Sequence, residues 1–239
     1  MHNNNQYKDL YITRKRKKWK FAHFEQYSNC FDFGIFVPRS DANYNFELLA
    51  NSATEVLSYF DKVQPIVVEV AAGNAQFSLE LARQNRDKNY IAIDIKADRL
   101  YTSAKAALEG GVSNIAFVRL QLSMVGLFFN QSKIDLLWLT FPDPRPKKGD
   151  QKLRLTHSHF LNQYRSILSP KGSLLFKTDN KSLFEWSLEQ FKIEGWSLVE
   201  TTRDLHASNL PTHYKIMTHY EQRYHDEGYP IYLAELSAD

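Results

Sequence analysis

The chain has 239 residues, 43% of them hydrophobic, enough for one sizeable core, and a net charge of only +3. Its single cysteine, Cys30, excludes an internal disulfide framework, and no run approaches the ~18 apolar residues of a membrane span. The polar, then basic N-terminus lacks a secretory apolar segment, so a soluble, cytoplasmic protein is expected.

Residues 1–43 read as a basic N-terminal arm ahead of one domain over residues 44–239. Residues 1–20 carry seven Lys/Arg against Asp9 alone, and residues 143–154 carry five against two, leaving the remainder of the chain at −6. Two basic patches on an acidic body point to a polyanionic partner, most simply nucleic acid. The run RKRKKWKFAHF, Arg14 to Phe24, mixes cations with Trp19, Phe21 and Phe24. These rings either stack on bases or dock on the body, and the sequence does not choose.

Apolar residues at near-helical spacing predict a helix over Tyr44 to Phe60. From Pro65 onward, short apolar runs alternate with helical segments: IVVEV (66–70), then a helix from about Gln76; YIAIDI (90–95), then ADRLYTSAKAALE (97–109); IAFVRL (115–120), then a less regular piece. Ile134 to Phe141 follows, hydrophobic enough for a strand buried on both faces, then HSHFLNQYRSILS (157–169), SLLFKT (173–178), KSLFEWSLEQFK (181–192), WSLVET (196–201) and IYLAEL (231–236). This alternation predicts an α/β, Rossmann-like fold, a seven-stranded and mostly parallel sheet with helices on both faces. Residues 202–230 form a long insertion rich in His and Tyr, and such segments are usually functional.

Two places carry chemistry. After the first strand, Glu69 is followed by the small-residue loop Val70-Ala71-Ala72-Gly73-Asn74-Ala75, and a second acid, Asp94, ends the next strand. A dinucleotide site would need G-x-G-x-x-G, whereas this loop has only Gly73. An amino acid linked to a nucleoside without phosphate, S-adenosylmethionine, suits two acids and such a loop better. The other place is Phe141 to Lys148, FPDPRPKK. Alternating prolines should hold Phe141, Asp143 and Arg145 extended and out of helical geometry. Asp143 is thereby fixed past the end of a central strand, the edge where open α/β sheets bind ligands. Lys147, Lys148, Lys152 and Arg154 give the rim charge suited to phosphates; the plainer reading is a solvated proline turn. The histidines at 206, 213, 219 and 225 fit no compact metal site, so no metal is expected. Phe184 and Trp186 read as core.

The stretches EVAAGNAQF, YIAIDI, FPDPRPKK, RLTHSHFL, FKTDN with FEW, DLHASNL and MTHYEQRYHDEGYPIYLAE run in one order from residue 69 to residue 235. In them the chain resembles the bacterial tRNA (guanine-N7)-methyltransferase family. The resemblance implies S-adenosylmethionine as cofactor, tRNA as partner and a guanine of its variable loop as target, with the enzyme acting as a monomer or homodimer. It also implies cofactor-binding roles for Glu69, Gly73, Asp94 and Gln121, a catalytic or guanine-positioning role for Asp143, and substrate contacts for Lys147, Asp179, Thr218, His219, Tyr220 and Glu221. Ala71 and Ala75 stand where the family usually has glycine, Asn74 where it has lysine, Gln121 where it has aspartate and Arg145 where it has tryptophan. If either alanine position needs a positive φ, the cofactor loop is strained. Two alternatives remain open: a catalytically weakened methyltransferase-fold RNA-binding protein, and a methyltransferase acting on another substrate.

Overall fold

A computed structural model describes residues 15–34, 49–50, 52–130 and 133–238 of the chain. The β-branched run Ile66–Val70 (β2) lies at its centre, with Val68 and Val70 in one hydrophobic cluster and Val67 in the other. A strand buried on both faces in this way is what a parallel sheet covered by helices requires.

The other elements take their places around β2. In chain order they are α1 (Lys15–Phe24), β1 (Cys30–Phe33), α2 (Ser52–Leu57), α3 (Gln76–Gln84), β3 (Asn89–Asp94), α4 (Ala97–Glu109), β4 (Ile115–Leu120), α5 (Val125–Phe129), β5 (Ile134–Thr140), α6 (Ser158–Ile167), β6 (Leu168–Thr178), α7 (Lys181–Ile193), β7 (Ser197–Thr202), α8 (His219–Asp226) and β8 (Tyr232–Ser237). The strands form one sheet in the order β1-β4-β3-β2-β5-β6-β8-β7. Only the β6–β8 and β7–β8 pairings are antiparallel, so β8 alone runs against the rest. Side chains from α1, α3 and α4 fill one face, and those from α2, α5, α6 and α7 fill the other. Because β2 sits between β3 and β5, the connections leave it in opposite directions and open a crevice at its C-terminal end.

The sheet has eight strands among the described residues, one more than the sequence predicts. The addition is β1, from the segment read as an arm; its four residues, CFDF, are too few to show a period. It pairs with β4 from Cys30↔Phe117 to Phe33↔Leu120. Asp32 on β1 also meets Arg119 on β4 at 2.9 Å, and both side chains are buried. The Arg119 guanidinium lies 4.6 Å from the centre of the Phe21 ring and donates to the Ile95 carbonyl. Of the arm's rings, Phe24 is fully buried and Phe21 packs on Arg119, whereas Trp19 stays 52% exposed. The predicted helix over Tyr44 to Phe60 survives in part as α2, while residues 35–48 lie outside the described residues.

A buried ion pair that loses one partner leaves the other charge uncompensated. Asp32→Asn should therefore lower unfolding free energy by about 3–5 kcal/mol in urea titrations, and Asp32→Leu combined with Arg119→Met should recover most of the loss.

Candidate active site

The crevice holds a cavity of about 570 Å³ at the C-terminal ends of β2 and β5. Its floor is Glu69, the penultimate residue of β2 and only 2% exposed. One carboxylate oxygen accepts the Ser78 hydroxyl at 2.5 Å and the Ser78 amide at 3.3 Å; the other accepts the Thr140 hydroxyl at 2.5 Å. Burial pushes the Glu69 carboxyl up to about 7, against the pull of the Ser78 and Thr140 bonds, and the nearby Asp94 charge adds to the rise.

The loop from β2 to α3 turns within five residues by placing Ala71, Gly73 and Ala75 at positive φ, 55°, 59° and 55°. A Cβ on Gly73 would meet nothing within 4 Å, so backbone conformation and not space favours glycine there. Ala71 and Ala75 carry the strain that the sequence raises as a condition. Asp94 holds this loop from behind. Its carboxylate accepts the Gly73 amide at 2.9 Å and the Lys96 amide at 2.8 Å, and it is not among the cavity walls. Gln121 is exposed just past β4, at the start of a short 3-10 turn, and likewise lies off the walls.

The second wall is Thr140 to Pro144. Phe141 and Arg145 are not extended but left-handed, with φ of 46° and 44°. Proline disfavours the right-handed helical region for the residue before it and favours extended backbone, but local bonds hold these two residues left-handed instead. The Phe141 amide stays tied to the Lys177 carbonyl at 2.8 Å while the chain turns away, and the Arg145 amide donates to Asp143 at 3.2 Å. Asp143 reaches the cavity with its side chain 62% exposed and paired to Arg145 at 3.2 Å. Arg154, expected on the phosphate-suited rim, is buried instead. It stacks 4.5 Å from the centre of the Trp186 ring and donates to the carbonyls of Pro144 and Arg145, so it fixes the loop that presents Asp143. Lys147, Lys148 and Lys152 remain exposed beyond the walls.

The third wall comes from the ends of β6 and the late insertion. Asp179 follows β6, and Asn180 caps α7 by accepting the Leu183 amide. Thr218 caps α8 by accepting the Glu221 amide at 3.1 Å. Tyr220 donates to Asp179 at 3.2 Å, and its ring lies 5.2 Å from Phe141 and 4.7 Å from Tyr224. Burial raises the Tyr220 phenol well above its ordinary value, so it remains a donor at neutral pH. The His219 side chain lies outside the described ones.

Glu221, expected to contact substrate, is fully buried and does not reach the cavity. It pairs with Lys177 at 2.7 Å and with His206 at 2.8 Å. Lys177, also fully buried, donates to the carbonyls of Tyr214 and Ile216 and sits over the rings of Phe77 and Phe141. Burial lowers its pKa, opposed by Glu221 and Glu69. The sequence reading missed Lys177, although a lysine inside the apolar run SLLFKT is a signal, since such a charge needs a partner.

The family model described as "Putative methyltransferase" matches residues 63–234, which include every wall of this cavity. A tRNA (guanine-N(7)-)-methyltransferase of Streptococcus suis (strain 05ZYH33) is 40% identical over 200 residues, 79% of this chain and 93% of that protein. The chain belongs to the tRNA (guanine-N7)-methyltransferase family. A further member, from Cytophaga hutchinsonii, is 37% identical over 176 residues, 72% of this chain and 80% of its own. The crystal structure of the 16S rRNA methyltransferase KamB, at 20% identity, overlays with a TM-score of 0.54 across 82% of this chain and 93% of that one. This likeness shows the shared class I methyltransferase fold.

The walls fit the cofactor that this family implies. A buried carboxylate at the floor suits a ligand with positive charge, and the small-residue loop admits it without the phosphate cradle that a dinucleotide requires. Among the described residues no His, Cys, Asp and Glu cluster could hold a metal.

Two predictions follow from the floor and its loop. Glu69 binds its proton more tightly folded than unfolded, so its contribution to stability is present below pH 4.5 and is lost as pH rises through about 7. Denaturant titrations of the ligand-free protein should show that decline, and Glu69→Gln should abolish it. Ala71 is partly exposed, and glycine there relieves about 1–2 kcal/mol of left-handed strain while costing about 0.4–1 kcal/mol in unfolded-chain entropy. Ala71→Gly should thus stabilise by roughly 0.5–1 kcal/mol. Ala75→Gly also removes a fully buried methyl, worth about 0.8 kcal/mol, and should be near neutral.

Proposed function

We propose that this chain transfers the methyl group of S-adenosylmethionine to N7 of a guanine in the variable loop of tRNA. The observation that carries this reading is one cavity, in a member of this family, that joins the Glu69 floor and its small-residue loop to Asp143, Asp179 and Tyr220.

Guanine N7 has an in-plane lone pair and no proton to lose, so no strong general base is required. The bound cofactor supplies an electrophilic methyl on a sulfonium. What the chain supplies is placement, which contributes several kcal/mol when reacting atoms are held in line. Glu69, ionised above about pH 7, would hold a cationic group of the cofactor. Phe141 and Tyr220 offer flat apolar surface to a purine, and Tyr220 fixes one oxygen of Asp179. Asp143 and Asp179 accept from the guanine N1 and N2 edge, and their charge favours the positive charge that develops on the purine. The Asp143–Arg145 pair does not obstruct this, because an exposed ion pair is worth about 0–1 kcal/mol and exchanges readily for a ligand. Lys147 and the basic N-terminal residues neutralise phosphates.

The strain at Ala71 and Ala75 favours one other reading, an RNA-binding protein whose catalysis has faded. Calorimetry with S-adenosylmethionine separates the two: binding supports the enzyme, and no heat at high cofactor concentration supports the rival.

Incubation with tRNA and S-adenosylmethionine should place 7-methylguanosine in the variable loop; methyl transfer to another position or none would refute the assignment. Asp143→Ala should reduce kcat on the order of 10²-fold with cofactor affinity nearly unchanged, and equal losses in both would mark Asp143 as structural. Cofactor affinity should rise between pH 6 and 8 as Glu69 ionises, and Glu69→Gln should flatten that profile.

A further inference from the structure

One wall of the cavity has no part in the reaction above. Arg99, on the first turn of α4, lines the cavity beside Gly73 and Asn74, and among the described residues no hydrogen bond or ion pair engages its guanidinium. Ser103, one turn further along α4, donates to the Asn74 carbonyl at 2.5 Å, which seats this helix face against the cofactor loop. Thr102 is a neighbour of Arg99 on the helix surface at i, i+3. It accepts a hydrogen bond from the Lys20 ammonium on α1 at 2.7 Å.

Trp19 stands next to Lys20. Its ring stacks on His23 at 4.1 Å and meets Tyr101 edge-on at 5.5 Å, yet 52% of the residue is exposed. An indole already held in place can offer a surface to a base at small entropic cost. From the cavity outward, neighbouring groups on α4 and α1 thus present a guanidinium, a hydroxyl, an ammonium and, beside the ammonium, a half-open indole. Cations beside an aromatic platform are what a single-stranded nucleic acid recognises, whereas the carboxylate of a small ligand would use Arg99 alone.

We propose that the RNA strand flanking the target guanine leaves the cavity across α4, with Arg99 on the phosphate beside the extruded nucleotide, Lys20 on a later phosphate and Trp19 stacked on a base beyond it. The route rests on the proposed action on tRNA and adds a path on the cofactor side of the cavity, opposite the lysine-rich loop after Asp143.

The full chain is titrated with an unmodified tRNA transcript at several salt concentrations, and with S-adenosylmethionine separately. Arg99→Gln should weaken tRNA binding about threefold to tenfold and reduce the slope of log Kd against log salt by about 0.7–0.9, the release expected for one phosphate contact. Its cofactor Kd should be unchanged, which also shows the variant is folded. Trp19→Ala should weaken tRNA binding about fivefold or more at unchanged salt slope, and Trp19→Phe should restore most of it. If wild type binds and methylates tRNA while Arg99→Gln leaves Kd and slope unchanged, the route is wrong and the activity stands. A loss of cofactor affinity in Arg99→Gln, with tRNA binding intact, would assign Arg99 to the cofactor carboxylate and overturn the route. Failure of the wild-type chain to bind tRNA at all would overturn the activity together with the route.

Discussion

The arrangement depends on a single buried ammonium. Lys177 ends the apolar run of β6 with no exposure to solvent, so it must find acceptors inside the protein. It finds Glu221 at the start of α8 and two carbonyls, of Tyr214 and Ile216, in the segment leading to it. An unpaired charge there would cost about 3–5 kcal/mol, of the same order as the closure entropy of a loop this long. The need to neutralise Lys177 therefore draws the insertion between β7 and β8 down onto the sheet. Thr218, Tyr220 and Tyr224 come with it and complete the cavity. The same ammonium lies over Phe77 on the cofactor side and Phe141 on the opposite wall, so one charge touches both halves of the site.

Backbone strain concentrates at the same place. Of the non-glycine residues with positive φ among those described, Ala71 and Ala75 belong to the cofactor loop, and Phe141 and Arg145 to the loop that presents Asp143. Each costs of order 1–3 kcal/mol and persists only where its surroundings over-determine it. The determinants are visible: the Ile93 carbonyl holds the Ala72 amide, the Lys177 carbonyl holds the Phe141 amide, and Arg154 holds the carbonyls of Pro144 and Arg145 against Trp186. Stability given up at the rim is supplied by the two cores on the faces of the sheet.

Much of this was legible in the residue order. The strands from β2 to β6 announce themselves as apolar runs, because a strand covered on both faces has no polar side to show. Glu69, the tight loop after it and Asp143 beyond the central strand can be placed by topology, since the C-terminal edge at the switch point is fixed once the strands are known. The strain at Ala71 and Ala75 could be foreseen as a condition, because the resemblance puts them where glycine is usual. What could not be read was the direction of charged side chains. Arg154 follows three lysines and looks like part of a cationic rim, but its partners are carbonyls nine and ten residues earlier, a contact made only by the folded loop. Glu221 is a ligand contact by resemblance alone, and its partner lies on β6. The short strand β1 escaped because four residues carry no period, and its register depends on Arg119, 87 residues beyond Asp32.

The claim on which all of this rests is that one cavity receives both donor and acceptor. A cocrystal structure with S-adenosylhomocysteine and 7-methylguanosine tests it most directly. The account predicts the thioether sulfur between the loop around Gly73 and the methylated N7 edge of the purine, with the guanine N1 and N2 edge bonded to Asp143 or Asp179. A purine bound away from those two carboxylates, or a cofactor seated outside the crevice between β2 and β5, would contradict it.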